Sequence, residues 1–123
     1  MFTSQDLDQL LSFRSEQANV LSLYLNVDST QQTTDKWKLM LRSLLKEAAA
    51  DAAAADIEAI ERYFDFEYDW RGKGVAVFSC QEADFWVSHS LAVPVQNQAY
   101  VSHRPYIKPL TDVLDAYGRY GVV

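Results

Sequence analysis

The sequence predicts one α+β domain, a mainly antiparallel sheet of about four strands covered by about four helices in the order α-β-α-α-β-β-β-α. Three observations carry this. Gly74-Val75-Ala76-Val77-Phe78-Ser79-Cys80 is apolar at successive positions, the pattern of a strand covered on both faces in the middle of a sheet. Phe85 to Val93 alternates, with Phe85, Val87, His89, Leu91 and Val93 on one side and Trp86, Ser88, Ser90 and Ala92 on the other, as a half-buried partner strand would. Between an earlier alternating run and this pair lies a stretch of about thirty residues without Gly or Pro, with apolar residues at helical spacing.

Taken in order, Thr3 suits a helix N-cap, with Asp6 at the third helical position and Phe2 placed to staple onto Leu7. Leu7, Leu10 and Leu11 give that first helix one apolar stripe. Residues 20–28 alternate, with Leu21, Leu23, Leu25 and Val27 on one face and Ser22, Tyr24 and Asn26 on the other, which predicts a one-sided strand. Thr34 or Asp35 can cap the next helix, whose stripe is Trp37, Met40, Leu41, Leu44, Leu45 and Ala48. Ile57, Ile60, Tyr63 and Phe64 repeat the pattern. One rod would overhang so small a domain, so the alanine-rich residues 48–55 should break it into two helices near Asp51 or Asp56.

Gln81-Glu82-Ala83-Asp84 is short enough for a hairpin connection but lacks the Asn-Gly or Asp-Gly pair of the tightest turns. Pro94 ends or edges the second hairpin strand, Ala99 to Ser102 form a further short strand, and Pro109 opens a last helix. There Leu110, Val113, Leu114 and Tyr117 share a face, and Gly118 can end it. The long helical connection also allows one parallel pairing in the sheet. Tyr120-Gly121-Val122-Val123 reads as the first residues of a strand, which sets the domain at residues 1–120 and the start of a following one at 121–123.

Composition narrows the function classes. Hydrophobic residues at 49% and charged residues at 23% give an ordinary globular balance, which excludes low-complexity and disordered classes. The single cysteine, Cys80, excludes an internal disulfide and suits a reducing compartment. No stretch approaches the ~20 apolar residues that cross a bilayer, and no leader pattern is present, so a cytoplasmic placement without a membrane partner is expected. A net charge of −6 argues against a free-standing nucleic-acid binder, and no DNA partner is expected.

Candidate chemistry is sparse. His89 and His103 are the only histidines, with no metal-ligand spacing, so no metal or other cofactor is expected. His89 lies on an apolar strand face and reads as a core or rim histidine, His103 as a loop residue. Ser79, Ser88 and Ser90 lack a Gly-x-Ser-x-Gly elbow, although a small hydrolase using His89 or His103 would lose a pH-dependent activity on His→Ala. Arg71-Gly72-Lys73-Gly74 precedes a strand, whereas a phosphate loop follows one, so its glycines serve a tight strand entry. The clearest basic feature is Lys38, Arg42 and Lys46, spaced four apart and stacked on one helix face.

Four segments taken together resemble a known family: the strand ending Asn26-Val27-Asp28, Leu41-Arg42-Ser43-Leu44-Leu45-Lys46-Glu47-Ala48, Gly74 to Ser79, and Arg104-Pro105-Tyr106-Ile107-Lys108-Pro109-Leu110 ahead of the last helix. Their order and spacing resemble the N-terminal domain of the bacterial branch of the archaeo-eukaryotic peptide-chain release factor 1 family. The resemblance implies a noncatalytic N-terminal module. Its partner would be the ribosome, rRNA and tRNA included, reached through the full-length protein in peptide release or in rescue of stalled ribosomes. The peptidyl-tRNA hydrolysis loop would lie in a following domain. Archaeal and eukaryotic members read stop codons through an Asn-Ile-Lys-Ser loop, and the equivalent residues 48–56 here contain no such motif and no basic residue. Lys38, Arg42 and Lys46, with Arg71, Lys73 and Arg104, are the RNA-contact candidates this reading names. The alternative is a protein-interaction or oligomerisation domain without RNA contact, consistent with the acidic charge and the aromatic residues Tyr63, Phe64, Phe66, Tyr68 and Trp70.

Overall fold

The computed structural model describes residues 4–13, 19–28, 30, 33–68 and 72–113. Within them lie α1 (Ser4–Ser12), β1 (Val20–Asn26), α2 (Thr34–Ala48), α3 (Ala54–Arg62), β2 (Gly74–Cys80), β3 (Phe85–Leu91), β4 (Gln98–Ser102) and α4 (Lys108–Val113). The Thr3 cap, Trp70, Arg71, the later part of the last helix and residues 121–123 lie outside the described residues.

The four strands run in the order β3-β2-β1-β4. Every pairing is antiparallel, so the parallel pairing allowed by the long connection is not used. Leu23 stands opposite Val77 on one side and Ala99 on the other, while Phe78 stands opposite Val87. The α2–α3 pair returns the chain so that β2 lies antiparallel beside β1, and α2 lies over β1 and β4 while α3 lies over β2.

β2 is buried along its whole length, as its continuous apolar run predicts. β1 corrects the expectation of a one-sided strand, because Ser22 and Tyr24 are as buried as Leu21, Leu23 and Leu25. Leu21, Leu23, Leu25 and Val27 face α2 and α3, whereas Val20 and Tyr24 join Leu10, Phe78, Leu91 and Leu110 on the opposite face, under α1 and α4. Burial of the polar side chains is tolerated because each finds a partner. The Tyr106 amide donates to Ser22 Oγ at 2.9 Å, and the Tyr24 hydroxyl donates to the Tyr106 carbonyl. These two bonds fasten the segment after β4 across the middle of β1, where Pro105 is buried.

The break between α2 and α3 falls at residues 49–53, near Asp51. α2 is capped by Thr33 and not by the expected Thr34 or Asp35, its hydroxyl accepting from the Lys36 amide at 3.4 Å. Trp37, Leu41, Leu44, Leu45 and Ala48 are buried, but Met40 is exposed, as is Leu11 on α1. Both residues sit at the margin of their stripes, where the curvature of the helix carries them off the sheet. α3 runs into a π-helical turn, Tyr63–Glu67, closed by the Tyr68 amide donating to the Tyr63 carbonyl at 2.8 Å. That turn sends Phe64 and Tyr68 into the core against Trp37, with Phe64 and Tyr68 ring centroids 5.3 Å apart.

The β2–β3 connection is a 3-10 turn, Gln81–Ala83, followed by Asp84 in the left-handed region at φ 54°. Aspartate tolerates that region because its short polar side chain can bond locally. Gly72 has φ +84°, and a Cβ there would stand 2.7 Å from the Leu91 carbonyl oxygen. The Lys73 amide donates to that same carbonyl at 2.8 Å, and the Lys73 carbonyl accepts from Val27 at 3.0 Å. The glycine is therefore a strand-entry device, as its position ahead of β2 predicts.

Candidate functional site: a charged groove between two helices

Helical spacing puts Lys38, Arg42 and Lys46 on the edge of α2 beside its buried stripe, and all three are exposed there. They form one wall of a groove of about 510 Å³ between α2 and α3. The buried Trp37, Leu41, Leu45 and Phe64, with half-buried Ile57, supply its floor. The facing wall carries Glu61 from α3 and Asp65 from the π turn. A smaller cavity of about 290 Å³ shares Ala49, Ile57 and Glu61 and continues the groove past Ala52, Ala54 and Glu58.

Local sequence explains each wall. α2 has its buried apolar residues at 37, 41, 44, 45 and 48, which fixes the cations at 38, 42 and 46 along its α3-facing edge. On α3 a buried carboxylate sets the helix on the sheet: Asp56 accepts from the Ser79 hydroxyl at 2.9 Å and from the Gln81 amide at 2.8 Å. Gln81 Nε2 also donates to Ser79 Oγ at 3.2 Å, so the buried cluster is internally bonded. This tie holds α3 over β2 and turns Glu61 towards α2. The alanines between the helices add little bulk, which keeps the groove open at that end.

Neither Arg42 nor Lys46 belongs to the ion pairs found among the described residues, Arg62–Glu58 at 3.5 Å and Lys108–Asp112 at 3.6 Å. Both keep their charge available at the surface. Glu61 and Asp65 were not singled out by sequence reasoning. Their signal is the spacing Glu58, Glu61, Asp65 beside Ile57, Ile60 and Phe64, one acidic edge flanking one apolar face.

Of the other candidates, the two among the described residues, Lys73 and Arg104, are not brought to the groove. Lys73 is exposed at the entry to β2; hydrogen bonds from the Thr30 hydroxyl and amide hold the nearby Asp28 carboxyl below its ordinary value, and the Lys73 charge adds to them. Arg104 is exposed in the segment after β4, its carbonyl accepting from the Ser102 hydroxyl at 2.6 Å. Arg71 lies outside the described residues. Among the described residues of the aromatic stretch, Phe64 and Tyr68 are buried, Tyr63 is half-buried and Phe66 stands out, 81% exposed.

The serine and histidine candidates do not share a face: Ser79 lies on the α3 side of the sheet, and Ser88 and Ser90 flank His89 on β3 with side chains on the opposite face of the strand. Ser79 is fully buried against Asp56, out of reach of a substrate. His89 is half-buried on the α1 side of β3, its pKa lowered by burial against the opposing pull of the Asp6 charge. His103 is exposed in the turn after β4. Among the described residues no three His, Cys, Asp or Glu side chains are grouped to hold a metal ion, and no helix is long and apolar enough to cross a membrane. No protein-family model matches the sequence, and a search of curated proteins finds no match.

Proposed function

We propose that this chain is the noncatalytic N-terminal module of a release-factor-like protein that acts on the ribosome, in peptide release or in rescue of stalled ribosomes. The observation that carries the proposal is the row of Lys38, Arg42 and Lys46, exposed together along one edge of α2 on a chain whose net charge is −6. A local cationic edge on an acidic domain gives orientation to an encounter with a polyanionic particle. The segment resemblance adds the setting, and catalysis belongs to a domain outside these residues. The work is cytoplasmic.

The test is co-sedimentation with ribosomes of this chain and of the longer protein, each with and without Lys38→Ala, Arg42→Ala and Lys46→Ala. Binding should be salt-sensitive and should fall in the triple variant. If the three cations meet RNA phosphates, raising salt from ~50 to ~200 mM weakens binding roughly twenty- to fortyfold. Absence of binding by either protein to stalled or empty ribosomes overturns the proposal.

A second reading, a protein-interaction module without RNA contact, is favoured by one observation. Glu61 and Asp65 stand across the groove from the cations, where a phosphate chain would meet like charge.

A further inference from the structure

We propose that the groove between α2 and α3 is the docking site for an amphipathic helix of a partner protein, with acidic side chains along the flank beside α2 and basic side chains along the flank beside α3. The inference deepens the ribosomal reading by naming what this surface holds, and rests on it only for where the partner is met.

Charge complementarity selects the occupant. The groove has three chemically distinct strips: Lys38, Arg42 and Lys46 on one wall, an apolar floor, and Glu61 with Asp65 on the other wall. A nucleic-acid backbone satisfies only the first strip and is repelled by the third. A wholly acidic peptide fails in the same way, and a wholly basic one fails at the first strip. A helix with an apolar stripe between two flanks of opposite sign satisfies all three, which is the groove-binding mode of helical recognition.

The dimensions agree. The cations span nine residues of α2, and at 1.5 Å per residue Lys38 and Lys46 stand about 12 Å apart along the axis, a little over two turns of a partner helix. Side chains on that partner at every third or fourth position recur at the spacing of the cations, so successive carboxylates can stand opposite successive cations. The volume of about 510 Å³ admits a few apolar anchors, and the smaller cavity beside the alanines extends the track past the end of α2. The alanine-rich connection thereby gains a role: larger side chains at Ala49 or Ala52 would close that end.

The test uses a library of helical peptides of about eighteen residues with a fixed leucine stripe and flanks randomised among Glu, Lys and Gln. Selection is run on the wild-type chain and, in parallel, on Ala49→Trp, which fills the groove from an exposed position at the end of α2. The expected result is enrichment of peptides with Glu on one flank and Lys on the other, on the wild type alone. An enriched peptide should bind about tenfold or more weakly to Arg42→Glu/Lys46→Glu and to Glu61→Lys/Asp65→Lys, because each variant sets two like-charge contacts where opposite charges faced each other. Circular dichroism of each variant confirms that the fold is kept.

Three results overturn the proposal: no enrichment over Ala49→Trp, enriched peptides indifferent to both charge reversals, or displacement of the peptide by a twenty-nucleotide uridine RNA whose own binding is weakened only by the α2 variant. The last result assigns the groove to RNA. Ribosome co-sedimentation of Ala49→Trp separates the two readings. Retained sedimentation leaves the ribosomal reading standing without the docked helix, and peptide binding by a wild-type chain that does not itself sediment does the reverse.

Discussion

The two faces of the sheet are covered by different means. On the α2–α3 face, apolar side chains do most of the holding, with the buried carboxylate of Asp56 as the tie. On the α1–α4 face, the polar side chains of β1 bond directly to backbone, Ser22 and Tyr24 fastening Tyr106. The difference teaches where a partner can bind. The second face uses its strand hydroxyls internally, while the first leaves the facing edges of its two helices charged, exposed and separated by a groove.

The contrast is sharpest in the stability of core variants. Trp37→Ala, which removes the ring packed against Phe64 and Tyr68, should cost about 3–5 kcal/mol in urea denaturation, as large aromatic truncations do. Asp56→Ala leaves the Gln81 amide without its acceptor and should cost about 2–3 kcal/mol. On the other face, Tyr24→Phe keeps the ring and removes one bond to the Tyr106 carbonyl, for about 1–2 kcal/mol. A Tyr24→Phe cost equal to that of Trp37→Ala would break the comparison.

Smaller effects probe the surfaces. Lys38→Ala, Arg42→Ala and Lys46→Ala should each change stability by no more than about 0.5 kcal/mol, because exposed positions away from special backbone carry little. His89 gives the second face a pH dependence. Its pKa is lowered in the fold by burial, so the neutral form is favoured there and the unfolded chain takes up the proton first. Stability is full above the ordinary histidine value and declines as pH falls below about 6.5, levelling off below the folded pKa. His89→Gln should flatten that slope in denaturation series between about pH 7 and pH 5.

Most of the fold was legible because hydrophobic periodicity speaks directly to burial. The unbroken run at Gly74–Cys80 marked a central strand, and the alanines marked the break between α2 and α3. The second buried face of β1 was not legible, since Ser22 and Tyr24 look solvent-facing until Tyr106, more than eighty residues away, provides partners. Half of the candidate site was legible. Lys38, Arg42 and Lys46 share a face by spacing alone, whereas Glu61 and Asp65 oppose them only because Asp56 and the π turn set the rotation of α3, a consequence of tertiary contact. Lys73 and Arg104, similar to the row in charge, lie elsewhere because sequence composition carries no position.

The most direct test of the central claim, that the α2 edge is a site and not one of several interchangeable basic spots, is ribosome binding by two matched variants. One is Lys38→Ala/Arg42→Ala/Lys46→Ala, and the other is Lys73→Ala/Arg104→Ala/Lys108→Ala, equal in charge removed and lying outside the groove. The account predicts that the first loses salt-sensitive binding while the second keeps it. Equal loss in both variants would contradict it.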